Sequence, residues 1–205
     1  MKVDIEGAGN FDNPAVTVRD DGSVLVVTRT PWNVYKAESL DGPYKIVVEN
    51  WVPAGFKWIE DPCIWQADGR YHMIANQWNR RTAFYMVSDN GLDWKVPEQY
   101  QAYIPGVTRY TDGTNTLWYK MERPKVLVED GRATHLYLAV IDIFKDGDKG
   151  GDRHNSKTVA IPLSPPEEAE PAGVISEGAY RIRNMASGQA ITVTGELDPD
   201  HSPMH

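Results

Sequence analysis

The sequence has one cysteine, no long apolar run and no excess of basic residues. Cys63 has no partner within the chain for a disulfide, and its apolar setting at residues 62–65 predicts a buried structural thiol. No stretch approaches the ~20 apolar residues of a membrane-spanning helix. Residues 1–4 do not begin like a secretion signal. The sequence therefore predicts a chain without membrane spans and leaves its compartment open.

The charge balance argues against partners that require a basic surface. The 205 residues include 29 acidic side chains and 21 Lys or Arg side chains, for a formal net charge of -8. Because nucleic acids and anionic membranes are bound largely through clustered cations, we expect neither as a partner. The 7 Trp and 10 Tyr residues are compatible with neutral ligands, because flat rings serve either as core filling, which a β-rich fold favours, or as platforms for sugars.

Three similar units follow one another along the chain. Each opens with an acid, one variable residue and a proline, and each has two apolar stretches separated by an Asp-Gly pair. The openings are Asp12-Asn13-Pro14, Glu60-Asp61-Pro62 and Glu122-Arg123-Pro124. Asp-Gly between strand-like stretches is a strong hairpin signal. Such a repeat is typical of a β-propeller, in which equivalent positions converge at the centre.

Further strand-like stretches follow the hairpin in the first two units. We therefore predict an all-β chain of four-stranded antiparallel blades, with about three blades in residues 1–163 and no helix. Closed propellers usually have four to eight blades. We expect the remaining blades of a five-bladed propeller to lie outside this sequence, the alternatives being assembly of several chains or an open stack of sheets.

The composition changes after residue 163. Residues 164–177 are rich in proline and glutamate, which predicts a semi-rigid linker. Within residues 178–205, alternating apolar positions on both sides of Ser187-Gly188 predict a β-hairpin. This last segment is too short to fold alone.

At these motifs the chain resembles the five-bladed β-propeller glycoside hydrolases of the arabinanase and β-xylosidase clan, which are glycoside hydrolase family 43-like. The resemblance covers roughly residues 12–163. It rests on Asn13-Pro14-Ala15 with Asp21-Gly22, on Glu60-Asp61-Pro62-Cys63-Ile64-Trp65 with Tyr71-His72-Met73, on residues 88–94, and on Glu122-Arg123-Pro124 with Thr134-His135-Leu136. Residues 180–193 are similar to the opening strands of a ricin-type β-trefoil, a sugar-binding module.

The resemblance implies acid/base hydrolysis of a glycosidic bond in a plant or algal oligosaccharide or polysaccharide. It also implies a secreted or periplasmic location, no required cofactor, and calcium as a permitted cation near the axis. Neither nucleic acid nor a membrane is an implied partner, and an oligomer is expected only if the chain is complete.

The resemblance also suggests roles for individual acids. In the clan the proton donor is a Glu two places before a proline, which matches Glu60. The base stands directly before a proline, where the first unit has Asn13, and an amide cannot take a proton from water but could orient a ligand. Asp12 and Asp61 are the candidate substitutes. Because successive strand residues face opposite sides, Glu60 and Asp61 are not expected to reach the cavity together. A base in blades outside the chain is the alternative.

The remaining candidates are expected to bind substrate. Glu122 and Arg123 would form either a structural ion pair or contacts with a sugar, and Trp65 and Trp118 would stack on sugar rings. Two rival functions stay open: a carbohydrate-binding propeller without turnover, which Asn13 favours, and a structural or protein-interaction propeller. In the plainest interpretation, the acids cap turns and the prolines fix strand edges.

Overall fold

The computed structural model describes residues 5–7, 12–147 and 155–163, and the backbone of two strands at 179–184 and 189–194. The chain is all-β, as predicted. Among the described residues, the helical elements are two short 3₁₀ turns, Trp78–Arg80 and Lys145–Gly147, and no helix is long and apolar enough to span a membrane. The predicted linker at 164–177 lies outside the described residues.

The first two units form four-stranded antiparallel sheets in which each strand pairs with the next along the chain, as in propeller blades. The first sheet contains β1 (Ala15–Val18), β2 (Val24–Val27), β3 (Val34–Ala37) and β4 (Lys45–Val48). The second contains β5 (Ile59–Ala67), β6 (Arg70–Gln77), β7 (Thr82–Ser88) and β8 (Gln101–Tyr103).

In the described part of the chain, the sheet of the third unit has three strands, and a polar loop joins the second of them to the third. A two-stranded pair, β9 (Val107–Arg109) and β10 (Asn115–Leu117), precedes β11 (Lys120–Glu129), β12 (Arg132–Ile141) and β13 (Ser156–Pro162). The predicted hairpin near the carboxyl end is present as β14 (Ala179–Asn184) and β15 (Gln189–Thr194), which pair antiparallel.

The Asp-Gly pairs close the first hairpin of each sheet, as the sequence predicts. Asp68 and Gly69 have φ values of 50° and 72°, and Asp130 and Gly131 have values of 50° and 74°. Two successive left-handed residues define the turn whose twist matches that of paired strands. Local sequence thus determines these hairpins.

The three sheets pack face to face through their first strands. Strand β5 contacts β1 on one side and β11 on the other. One apolar cluster, including Val27, Ile64 and Met73, joins the first and second sheets, and another, including Trp65 and Leu138, joins the second and third. The second sheet is therefore buried on both faces, which explains why β5 is apolar almost throughout. Burial raises the pKa of the Cys63 thiol, as expected for a structural cysteine.

A glycine turn after β7 tests the packing of the first two sheets. Gly91 has a φ of 76°, and a Cβ there would lie 2.5 Å from Leu25 Cδ1 and 3.2 Å from a Tyr71 ring carbon. We expect Gly91→Ala to lower the free energy of unfolding by about 2–3 kcal/mol, because backbone strain and overpacking add. The matched control is Gly69→Ala, which has a similar φ of 72° and nothing within 4 Å, and should cost only about 1 kcal/mol. Equal losses in urea denaturation would contradict this packing.

Candidate functional site

The residue before the proline has a left-handed backbone in all three unit openings. Asn13, Asp61 and Arg123 have φ values of 46°, 48° and 52°. Residues before proline normally have an extended backbone, and left-handed residues other than glycine are uncommon. The strand pairing also shifts register at this place in two sheets, between Glu60 and Cys63 and between Glu122 and Lys125. In the second and third sheets the repeated opening is therefore a β-bulge near the start of the inner strand.

The bulges bring three of the predicted acids together. Carboxylate oxygens of Glu60, Asp61 and Glu122 all lie within 4.8 Å of one another. The expectation that Glu60 and Asp61 face opposite sides was therefore wrong. Strict alternation holds only for a regular strand, and the extra residue of a bulge redirects the side chains next to it.

Asp61 is held by amide groups from two sheets. It is 8% exposed, and it accepts a hydrogen bond from Asn13 Nδ2 of the first unit and another, 3.1 Å long, from Asn76 Nδ2 of β6. The Tyr103 hydroxyl donates to Asn76 Oδ1. Burial raises the pKa of Tyr103 well above its usual value, so this hydroxyl stays a donor. The chain of bonds fixes the orientation of the Asp61 carboxylate.

Glu60 lies in a partly buried setting beside the other two acids. Burial raises the pKa of Glu60, and the nearby Asp61 and Glu122 carboxylates raise it further, while Lys120 and Arg29 oppose the shift. Arg29 Nη1 is 3.8 Å from Glu60 Oε2. The net effect is a Glu60 pKa above the ordinary glutamate value, with a cationic neighbour retained.

The other predicted residues lie outside this cluster or have different partners. Glu122 forms its ion pair with Lys120 rather than with Arg123, whose side chain is exposed. Asp12 is also exposed and is not one of the three clustered acids, although its backbone carbonyl accepts a hydrogen bond from Arg29 N.

The two tryptophans chosen from the sequence as sugar platforms are core residues instead. Trp65 and Trp118 are 4% and 1% exposed, and both belong to the apolar cluster between the second and third sheets. Their rings are therefore closed to a ligand. The acids lie where the first strand of each sheet begins. Several other aromatic residues are exposed in the connections at that end of the sheets: Trp32, Trp58, Trp78, Tyr119 and Phe144.

The sequence does carry a signal for two of the exposed tryptophans. Trp58 stands two residues before Glu60, and Trp78 stands two residues after Asn76, which pairs with Glu60. An aromatic residue just beyond a strand end, next to an acid, lies outside the alternating core pattern. That position could have distinguished these two from Trp65.

The three carboxylates are the type of ligand that a hard cation such as calcium prefers. Calcium binds carboxylate oxygens at about 2.3–2.6 Å, so this spacing of oxygens is compatible with one ion. However, Lys120 contacts Glu122, Arg29 lies close to Glu60, and amides occupy both oxygens of Asp61. A cation would have to displace these groups. The donor set does not fit a resident ion, and we assign no chemical step to one.

The hydrogen bond from the Asn13 amide to Asp61 leads to a prediction about the free energy of unfolding. In Asn13→Asp, a donor to buried Asp61 becomes a second carboxylate, so we expect a loss of about 1–3 kcal/mol at pH 7. The paired carboxylates would bind a proton more tightly when folded, so the loss should shrink as the pH falls towards 4. Asn13→Ala is the control, because it removes the donor without adding charge and should lose stability at all pH values. Denaturant titrations at several pH values provide the measurement.

No protein-family model matches the sequence, and no curated protein sequence matches it. Similar solved structures include a GH32 β-fructofuranosidase of Bombyx mori, with 12% identity over 89% of this chain and 36% of that chain and a TM-score of 0.47. An α-L-arabinofuranosidase of family GH43 from Clostridium thermocellum has 13% identity over 97% of this chain and 56% of that chain, with a TM-score of 0.47. An endo-arabinase from Bacteroides thetaiotaomicron has 10% identity over 97% of this chain and 99% of that chain, with a TM-score of 0.39.

The chain thus spans 36% and 56% of the first two of these structures. At these identities and TM-scores, the similarity assigns no activity to this chain.

Proposed function

We propose that this chain is a glycoside hydrolase-like propeller segment that acts on an oligosaccharide or polysaccharide, with Glu60 as the proton donor. The observation that carries the proposal is the setting of Glu60, whose carboxyl group is partly buried within 4.8 Å of two other carboxylates. Glycosidases protonate the leaving oxygen with a carboxylic acid whose pKa is raised above its ordinary value.

The neighbours of Glu60 suit a group that gives up a proton. Burial and the charges of Asp61 and Glu122 favour its neutral form in the resting site. Arg29, 3.8 Å from Glu60, and the positive charge of Lys120 both stabilise the carboxylate that remains after proton transfer. The hydrogen bonds from the Asn13 and Asn76 side-chain amides hold the negatively charged Asp61 carboxylate in a fixed position. In this proposal Asp61 and Glu122 tune the proton donor.

The base requires a different position. Inverting glycosidases separate acid and base by roughly 6.5–9.5 Å so that a water molecule fits between them. The three clustered carboxylates are within 4.8 Å of one another, so none of them stands at that separation from Glu60. Asn13 cannot act as a base. We propose that the base is Asp12, the acid of the first unit opening that lies outside the cluster.

Hydrolysis assays test this proposal. The chain would be incubated with arabino- and xylo-oligosaccharides and with arabinan, and the released sugars would be separated by chromatography. We expect release that increases with protein concentration and time. If no substrate is cleaved, and if aryl arabinosides and xylosides with activated leaving groups also stay intact, the enzyme proposal is wrong for this chain.

Asn13 favours a second candidate function. An amide at the predicted base position binds hydroxyl groups but does not activate water, as in a saccharide-binding propeller without turnover. Sugar binding by calorimetry, with no release in the assays above, would support this candidate. The segment at 178–205 is proposed as part of a ricin-type β-trefoil on the basis of its motif and its β14–β15 hairpin, and it would add a second sugar-binding element.

A further inference from the structure

Two exposed tryptophans lie next to the acid cluster and touch each other. Trp58 is 55% exposed and Trp78 is 39% exposed. Their ring centroids are 5.2 Å apart with planes at 71°, an edge-to-face arrangement, and Trp78 N donates a 3.1 Å hydrogen bond to the Trp58 carbonyl oxygen. The pair is therefore a built surface feature in which both indoles keep a large open area.

The backbone of Trp58 is in an unfavourable conformation. Its φ is 62°, a left-handed value that is rare for a bulky side chain and costs on the order of 1–2 kcal/mol. Burial does not offset this strain, because most of the indole remains exposed. Strained residues of this kind occur at ligand sites, where the side chain is held ready for contact.

The strand pairing places the two tryptophans close to Glu60. Glu60 pairs with Asn76, Ile59 pairs with Gln77, and the backbone bond from Trp78 to Trp58 continues the ladder outwards. At about 3.3 Å per residue, the tryptophan pair lies roughly 7 Å along the ladder from the Glu60 rung.

Polar residues flank both tryptophans in the chain. Gln77 Nε2 donates to the Lys57 carbonyl oxygen, and Asn79 and Arg80 are exposed in the turn after β6. Flat aromatic faces beside hydrogen-bonding groups suit a ligand with an apolar face and polar edges. A sugar ring has both features.

We infer that Trp58 and Trp78 form a subsite that binds one sugar ring of an oligosaccharide, beside the ring whose glycosidic oxygen faces Glu60. The inference rests on the proposed function for its ligand class. It makes the preferred ligand an oligosaccharide of at least two sugars rather than a monosaccharide.

Binding measurements in a Glu60→Gln background test the subsite, because this variant removes turnover. Calorimetry would compare xylotriose and arabinotriose with xylose and arabinose. We expect at least one trisaccharide to bind more than about tenfold tighter than its monosaccharide. We expect the double variant Trp58→Ala/Trp78→Ala to lose at least about tenfold in that affinity. The control is Tyr100→Ala, which removes another exposed aromatic residue of the second sheet that packs edge-to-face on Phe56, and it should bind normally.

Trp58→Gly separates ligand binding from a structural role. Glycine accepts a left-handed backbone, so we expect an unchanged or higher Tm together with weaker trisaccharide binding. A lower Tm with normal binding would mean that Trp58 is structural, and the inference would be wrong. Unchanged affinity in the double variant, or no binding of either trisaccharide, would also overturn the subsite, whereas the role of Glu60 is judged separately by hydrolysis with the wild-type chain.

Discussion

Replacing Glu60 by glutamine is expected to reduce hydrolysis by about 10²–10⁴-fold, the range that a positioned general acid contributes. Glutamine keeps the size and hydrogen-bonding capacity of the protonated acid but has no proton to give. The wild-type rate should fall as the pH rises through the Glu60 pKa, which its surroundings raise above the ordinary glutamate value. In Glu60→Gln this alkaline decline should disappear. The measurement is kcat/KM, determined from initial rates between pH 4 and pH 9.

Two controls distinguish lost chemistry from lost structure. A glutamate with a raised pKa in the folded state contributes stability that is present at low pH and is lost as the pH rises through that pKa. Glu60→Gln mimics the neutral form, so it should be at least as stable as the wild type at pH 7. An activated aryl glycoside, which needs less leaving-group protonation, should be affected less by the substitution. Equal loss on both substrates would argue that Glu60 is not the proton donor.

Replacing Trp118 by alanine is expected to lower the free energy of unfolding by about 3–5 kcal/mol, as for other large buried aromatic residues. Trp118 is 1% exposed, its Nε1 donates to the Tyr110 hydroxyl at 3.2 Å, and it packs in the cluster between the second and third sheets. In a chain of this size, such a loss corresponds to a fall in Tm of roughly 10 °C. Thermal unfolding followed by near-ultraviolet circular dichroism would measure it.

The matched control for Trp118 is an exposed tryptophan. Trp58→Ala removes the same side chain from a site that is 55% exposed, and should change stability by less than about 1 kcal/mol. If Trp118→Ala instead keeps its stability and loses saccharide binding, the sugar-platform role predicted from the sequence would stand, and the packing of the second and third sheets described above would be wrong.

The tryptophans show why composition alone mispredicted part of the site. Trp65 lies within an apolar strand and Trp58 lies just before it. By composition alone, the two residues are equally good candidates for stacking on a sugar. The difference arises because β5 is covered on both faces by neighbouring sheets, which buries Trp65, while Trp58 lies beyond the covered part of the strand. Exposure depends on what packs against a residue, and that is a property of the assembled sheets.

The positions of the acids were predicted partly correctly from the sequence. The recurrence of an acid two residues before a proline predicted that equivalent positions converge. Glu60 and Glu122 do lie together, whereas the third equivalent acid, Asp12, is exposed and outside the cluster. The alternation rule wrongly placed Glu60 and Asp61 on opposite sides of the strand. The sequence does not reveal the bulge, because Asp61 has a left-handed backbone although residues before proline usually have an extended one.

The sequence by itself determined the hairpins, their Asp-Gly turns and the repeat of strand-rich units, because these depend on local conformational preferences and on side-chain period. The tertiary structure alone decided which acids lie together, which ion pairs form and which aromatic rings remain exposed. These features depend on contacts between residues distant in the chain, such as the hydrogen bond from Asn13 to Asp61. Packing between sheets can impose backbone conformations that local preference disfavours.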